Sequence, residues 1–329
     1  NLNEEDLENL KTILQNKKHL PIESLTALST LFTAIKMLPQ TEIEKKWISE
    51  QTSSSFPPII QDILNLNSKE SSSLEDIHIT LLNKKNLSKN DISKLLKKII
   101  SPSYSEPKKA ILLEALRLKE ETPIENQATL NFFYNQSSHL KIKTPFLLDF
   151  ANPYDGFNRF EPIQLFSSLI LSAAGFPCVL HGTTKIGPKN GLTIEELLKT
   201  AGKKINTDNE KIKYDLENTN KGWAYLNQQQ FCPSLHNLKQ LRNNMLKRPL
   251  LATIEKFVSP CIANKNIIIT GYTHPPYKNK TITLLQQLPH KPNFIIIRGQ
   301  EGSSQASLDR KSPCITLINK TITDTFICP

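Results

Sequence analysis

The sequence predicts an α/β protein: a helical N-terminal extension, a small helical domain, and a larger α/β domain with a mainly parallel sheet. Three observations predict it. Residues 144–202 read as strand, loop, helix, strand, loop, helix, the repeating unit of a parallel sheet. Two later runs, Ile267-Ile268-Ile269-Thr270 and Phe294-Ile295-Ile296-Ile297, are continuously apolar and bounded by turns, the pattern of strands covered on both faces. Before residue 139, apolar residues recur at helical spacing.

Residues 1–77 form the expected extension. Acidic residues follow Asn3 in a capped helix start, and Leu7, Leu10, Ile13 and Leu14 share a face. Further helices are expected over 24–37 and 58–64, with a serine and proline break at 53–58 and a polar linker at 67–73. Residues 78–139 form the small helical domain. Its four helices begin near Ile77, after Ser88, at Ser105-Glu106-Pro107 and at Glu121-Thr122-Pro123. The α/β domain is 140–329. Strands are expected at 145–150, 177–180, 266–271 and 293–298, and helices at 164–175, 193–201 and 281–288. Residues 222–226 read as a short apolar segment. A helix over 234–245 and another over 250–258 follow.

Composition narrows the function classes. The 41 Lys+Arg against 31 Asp+Glu leave a net charge of +10. A basic surface favours polyanions, unless the charge is spread thinly. Glycine is scarce at 10 residues, which argues against a glycine-rich phosphate loop, while proline reaches 21. The five cysteines include no CxxC clip and read as reduced thiols of an intracellular protein. No apolar run approaches the roughly 20 residues of a membrane span. No signal peptide is visible, and the absence of an initial Met implies that something has been removed from the front.

In a parallel sheet, ligands sit beyond the carboxyl ends of strands. Three loops leave such ends here: 152–159, 181–191 and 299–304. The expectation is that they converge on one positively charged pocket able to receive phosphate. Asp155 suits a metal or a ribose hydroxyl, or is a turn aspartate bonding its own backbone. His181 suits a phosphate or base, or is satisfied locally. Lys185 and Lys189 are point charges for phosphate, or solvated loop lysines. Arg159 and Arg242 suit bidentate recognition of phosphate or carboxylate, though Arg242 also fits a helix surface facing Glu255 or Asp215. Glu301 suits a ribose hydroxyl, or is a plain loop carboxylate. No Ser–His–Asp or Cys–His set has the required spacing, and His274 lies in a proline turn.

Several strings carry a resemblance. They are Asn152-Pro153-Tyr154-Asp155-Gly156, Leu180-His181-Gly182, the run from Gly187 to Thr193, Pro233-Ser234-Leu235 with Arg242 and Lys247-Arg248-Pro249, and Arg298-Gly299-Gln300-Glu301-Gly302. In this order they resemble the anthranilate phosphoribosyltransferase-like proteins of glycosyltransferase family 3. The likeness is to the divergent branch, related to tryptophan biosynthesis, of bacteria, cyanobacteria and plastids. It covers about 78–318, and the chain stops before the family's usual C-terminal helices. It implies the phosphoribosyltransferase and nucleoside-phosphorylase-like architecture, with the helices of 234–258 returning to join the small helical domain, and a homodimer. It also implies a phosphoribosyl diphosphate site between the domains, magnesium as cofactor, and a cytoplasmic or plastid location.

The departures from the family pattern are specific. Asn152, Pro153 and Tyr154 stand where diphosphate-loop glycines should be, and only Asp155 and Gly156 remain. A Cβ and a ring at 154 keep the backbone from phosphate. Leu180 replaces a phosphate-pairing lysine, although His181 and Gly182 match, and Arg242 matches an anthranilate-binding arginine. Ser304-Gln305 replaces the acidic magnesium pair with neutral groups, so no residue is assigned as a metal ligand and the cofactor is left open. The candidate phosphate-binding set is Asn152, Asp155, Gly156, Arg159, His181, Gly182, Lys189, Arg242 and Glu301. Two functions follow: pentosyl transfer from a phosphoribosyl diphosphate-type ligand with degenerate motifs, or non-catalytic nucleic-acid binding on the same scaffold, as in some bacterial members of the branch. The ligand is then a phosphorylated small molecule or a nucleic acid, with no membrane partner. Residues 1–77 suit recruitment of a partner.

Overall fold

The computed structural model describes residues 2–15, 20–51, 55–65 and 72–329. The expected break at 53–58 and linker at 67–73 fall partly outside these. The chain forms two compact units: 1–125 with 240–250, and 126–239 with 251–329.

The first unit is helical. Its centre is the helix Ile22–Met37, packed along Glu106–Leu118. The first is rich in apolar and small residues and the second is buried without a break from Lys109 to Leu116, so both are covered on most sides. Buried hydroxyls in the first helix bond back to its own carbonyls: Thr26 to Ile22 at 2.6 Å and Thr33 to Ser29 at 2.7 Å. The helix Glu42–Glu50 has a Thr41/Glu44 capping box, a signal present in the sequence but absent from the expectations above.

Glu114 is fully buried in this unit and accepts from the Lys247 amide at 3.2 Å. Burial, only partly opposed by that amide and the Lys247 and Arg117 charges, pushes its carboxyl up to about 7. A raised carboxyl pKa gives stability that is present below the ordinary value of 4.5 and is lost as pH rises through about 7. Glu114→Gln is neutral throughout and should remove that loss. Urea unfolding is expected to show it about 2 kcal/mol more stable than the wild type at pH 8 and near parity at pH 4.5.

The second unit holds the sheets. The strands are β1 (Leu140–Lys141), β2 (Leu147–Ala151), β3 (Cys178–Gly182), β4 (Trp223–Asn227), β5 (Cys261–Ile262), β6 (Asn266–Tyr272), β7 (Asn293–Arg298), β8 (Ser312–Ile318) and β9 (Thr321–Ile327). β1 and β5 pair alone. The main sheet runs β4-β3-β2-β6-β7-β8-β9, parallel from β4 through β7 and antiparallel in β8 and β9. The parallel α/β expectation therefore holds, and the apolar segment at 222–226 is a strand. From β2 the chain first adds strands on one side, then on the other. The switch point thus lies between the carboxyl ends of β2 and β6. One face of β2, β3 and β4 packs Leu148, Phe150, Leu180 and Tyr225 against Leu165, Ile194 and Leu198 of the covering helices.

Three details differ from expectation. The continuous helix over 234–245 is two short pieces, Pro233–His236 and Lys239–Asn243, with Asn237 capping the first. Asparagine competes for backbone hydrogen bonds and favours such ends. The helix over 250–258 is one α-turn, Leu251–Ile254, then a 3₁₀ turn, since Pro260 disfavours helix at the residue before it. The β8–β9 hairpin was not foreseen. Its turn residues Asn319 and Lys320 both have positive φ, at 51° and 69°, as a tight primed hairpin turn requires. Every residue of β9 before Ile327 is exposed.

Candidate functional site

The loop after β2 and the loop after β3 are zipped together. Phe157 and Leu192 exchange backbone hydrogen bonds at 2.9 and 2.8 Å, and the Gly191 amide donates to the Asp155 carbonyl at 2.9 Å. Only glycine permits this approach. A Cβ on Gly156, whose φ is +76°, would stand 2.4 Å from the Gly191 carbonyl oxygen.

Beneath them runs a buried relay. Tyr154 bonds His181 Nδ1, and His181 Nε2 bonds Asp149 Oδ1 at 2.8 Å. Tyr154 is 2% exposed, and the side chains of His181 and Asp149 are wholly buried. Asp149 sits on β2 and His181 on the adjacent β3, so strand pairing alone brings them together. Burial, with the nearby Glu255, Tyr225 and Asp149, pushes the Tyr154 phenol well above its usual value. Both ring nitrogens of His181 are therefore engaged locally. Gly182 lies under Tyr225, whose hydroxyl would be 3.1 Å from an added Cβ.

The loop after β7 closes over the first loop. The Glu301 carboxylate accepts from the amides of Asn158 (3.1 Å), Arg159 (2.9 Å) and Phe160 (3.2 Å), and pairs with Lys189 Nζ at 2.6 Å. Lys189 also donates to the Gly156 carbonyl. The Glu301 and Lys189 side chains are only 4% and 7% exposed. Burial pushes the Glu301 carboxyl up, but the Lys189 charge and the Arg159 and Asn158 amides outweigh it and hold it down at about 2.

At the switch point sits Lys256, which no sequence signal singled out. It donates to the Gly271 carbonyl at 2.8 Å, and Asp155 is its stabilising charge. Burial pulls its ammonium down to about 8, against Asp155. In the sequence it was one polar position of an expected apolar helix.

The three turns thus converge, but not on an open cationic pocket. Tyr154, Glu301 and Lys189 fill the space from within. Asn152 is buried and its side-chain amide donates weakly to the Phe150 carbonyl at 3.5 Å. Asp155 is buried, and its charge favours the ammonium of the buried Lys256. Arg159 contributes its amide to Glu301, while the residue itself is exposed. Arg242 is 1% exposed rather than on a helix surface, and it belongs to the helical unit, unlike the other eight candidates. Lys185 is exposed, 4.0 Å from Glu196.

Magnesium does not fit this donor set. Ser304-Gln305 offers neutral groups, and among the described residues no three Asp, Glu, His or Cys side chains are grouped to hold a cation. Open space lies further along the strand ends. A groove of about 390 Å³ is lined by Tyr272, Lys278, Arg298, Asp324 and Phe326, with Lys278 paired to Asp324 at 2.5 Å. All five cysteines are free thiols, and no described helix is long and apolar enough to cross a membrane.

Comparison with known proteins agrees with this architecture. No family model matches the chain. It is 27% identical over 259 residues to an uncharacterized protein of Aquifex aeolicus, covering 79% of this chain and 74% of that one. It is 20% identical over 249 residues to the anthranilate phosphoribosyltransferase of Legionella pneumophila, covering 76% and 70%. Among solved structures, the anthranilate phosphoribosyltransferase of Thermus thermophilus superposes with a TM-score of 0.60 at 16% identity, covering 76% of this chain and 73% of that one. The Saccharomyces cerevisiae enzyme, in complex with PRPP and Mg, gives 0.54 at 16% identity, covering 76% and 67%.

Proposed function

We propose that this divergent anthranilate phosphoribosyltransferase-like protein binds a polyanion, with nucleic acid the favoured class, and does not perform ordinary transfer from phosphoribosyl diphosphate. The observation that carries this reading is the occupation of the strand-end loops by the chain's own Tyr154 and Glu301. A diphosphate needs the backbone donors and the cation that Glu301 already engages. Ordinary transfer also needs metal ligands that Ser304-Gln305 does not supply. Losing one preorganised stabiliser typically costs ~3–4 kcal/mol of transition-state binding, and several are missing here.

The net charge of +10 and the open groove support the binding reading. Arg298 lies exposed at the end of β7, and the Phe326 ring is 60% exposed beside it on β9. A guanidinium for phosphate and an accessible ring for a base are the parts that single-stranded nucleic acid uses. A labelled oligonucleotide should bind at low salt and lose at least tenfold in affinity between about 50 and about 200 mM salt. Arg298→Ala combined with Phe326→Ala should weaken it at least tenfold. No binding at low salt removes the proposal.

Pentosyl transfer is the second reading, and the buried Lys256 at the switch point, with the Asp155 charge favouring its ammonium, supports it. Its test is calorimetry with phosphoribosyl diphosphate and magnesium. We expect no heat, and a saturating heat would reinstate this reading.

A further inference from the structure

The isoleucine runs of β6 and β7 suit strands covered on both faces, yet one face is left partly bare. Ile268, Phe294 and Ile296 are fully buried on the side where the helix Pro276–Gln286 packs and Lys278 meets Asp324. Ile267, Ile269 and Ile295, which alternate with them, are only partly buried. Strand register carries this second face outward from Ile295 to Thr316 of β8 and Thr323 of β9. Arg298 and Asp324, the charged residues of β6 to β9, both fall on the first face. The second face is therefore an uncharged, largely apolar trough.

Beside the trough stands a ridge. The helix Gln164–Ala173 packs over β2 and β3 on the same side, where Leu165 joins the cluster that Ile267 and Ile269 also touch. This helix carries no charged residue at all. Its outer side presents Phe166, 57% exposed, and Ile170, 69% exposed, with Ile163 and Leu169 flanking them and Phe176 just past its end. The outer side of a surface helix is ordinarily polar. At roughly 200 Å² per fully exposed side chain, these five expose about 500 Å² of apolar surface, a patch large enough to mark an interaction site.

We infer that a second copy of this chain docks here, through a two-fold interface in which the Gln164–Ala173 helix of each copy lies in the β6–β8 trough of the other. Ridge and trough are neighbours on one face, so a two-fold axis running between them sets each opposite its complement. Neither half offers a charge to a charged partner. The helix supplies the apolar cover that Ile267, Ile269 and Ile295 lack. Two ridges seated in two troughs bury more than about 1,000 Å² in all, the size a specific interface needs. The groove at Arg298 and Phe326 lies on the opposite face of the sheet, so it stays open in the dimer, and neither proposal depends on the other.

Sedimentation equilibrium of the full chain across the micromolar range should give the mass of a dimer. Ile170→Glu, at a position open to solvent, should fold and weaken association about tenfold or more. Thr316→Lys, in the trough, should do the same. Mixed in equal amounts, the two variants should associate more tightly than either does alone. One seat then sets the introduced carboxylate against the introduced ammonium, and the other seat is unaltered. Far-UV circular dichroism checks that each variant folds; if Thr316→Lys does not, Thr323→Lys on the exposed β9 takes its place. Oligonucleotide affinity should be the same for Ile170→Glu and the wild type. A wild type that stays monomeric throughout, or an Ile170→Glu variant that pairs as well as the wild type, overturns the inference. Co-flotation of such a monomer with phosphatidylcholine vesicles would assign the face to lipid instead. Two weakened variants with no rescue on mixing overturn the seating of ridge in trough.

Discussion

His181→Ala should be the most damaging single truncation in the α/β unit, costing about 3–5 kcal/mol. His181 is the middle member of a chain in which every side chain is buried. Its Nε2 is the partner of Asp149 Oδ1 at 2.8 Å, and Asp149 Oδ2 has no hydrogen bond of its own. Removing the imidazole therefore leaves a carboxylate in the sheet core without its partner, and the Tyr154 hydroxyl without its partner as well. Each orphaned buried group costs about 1–3 kcal/mol, and the vacated ring adds a cavity term. Urea unfolding at constant slope is the measurement. Asp149→Asn should cost less, because an amide still offers the ring a hydrogen-bonding partner. A loss below about 1 kcal/mol for His181→Ala would mean that the relay is not formed as described.

The second large effect is expected at Gly271. An alanine Cβ there would stand 1.7 Å from the Ser303 carbonyl oxygen and 2.9 Å from that of Ile297. Both neighbours are backbone, and Ser303 is fully buried, so neither yields by rotating a side chain. Gly271→Ala should force the loop after β7 off the end of β6. The expected cost is about 3–4 kcal/mol, at the top of the range for overpacking. The same displacement should pull Glu301 from the 158–160 amides, so amide exchange at those positions should accelerate together with the fall in stability. Gly175→Ala is the control. Its φ of +88° is unfavourable, but nothing lies within 4 Å, and about 1 kcal/mol is expected.

These two positions mark what the sequence did and did not disclose. Unbroken isoleucine runs at 267–269 and 295–297 disclosed parallel strands, because only a sheet covered on both faces tolerates such runs. Strand-end placement disclosed which loops would meet. The hairpin of β8 and β9 was readable in principle, since Thr321, Thr323 and Thr325 alternate with Ile322 and Phe326. The capping box at Thr41 was readable too. Lys256 was not, since its burial depends on strands and loops far from it in sequence.

The sequence by itself determined the class of fold and the loops that gather at the strand ends. Those properties are local: they follow from periodicity and from turn residues. Only the tertiary structure decided that His181 is spent on Asp149 and Tyr154, and that Glu301 and Lys189 satisfy each other. A charged residue in a loop reads identically whether it faces solvent, a ligand or its own chain. Which of these it faces is fixed by contacts between segments far apart in sequence, and no pattern within one segment carries that information.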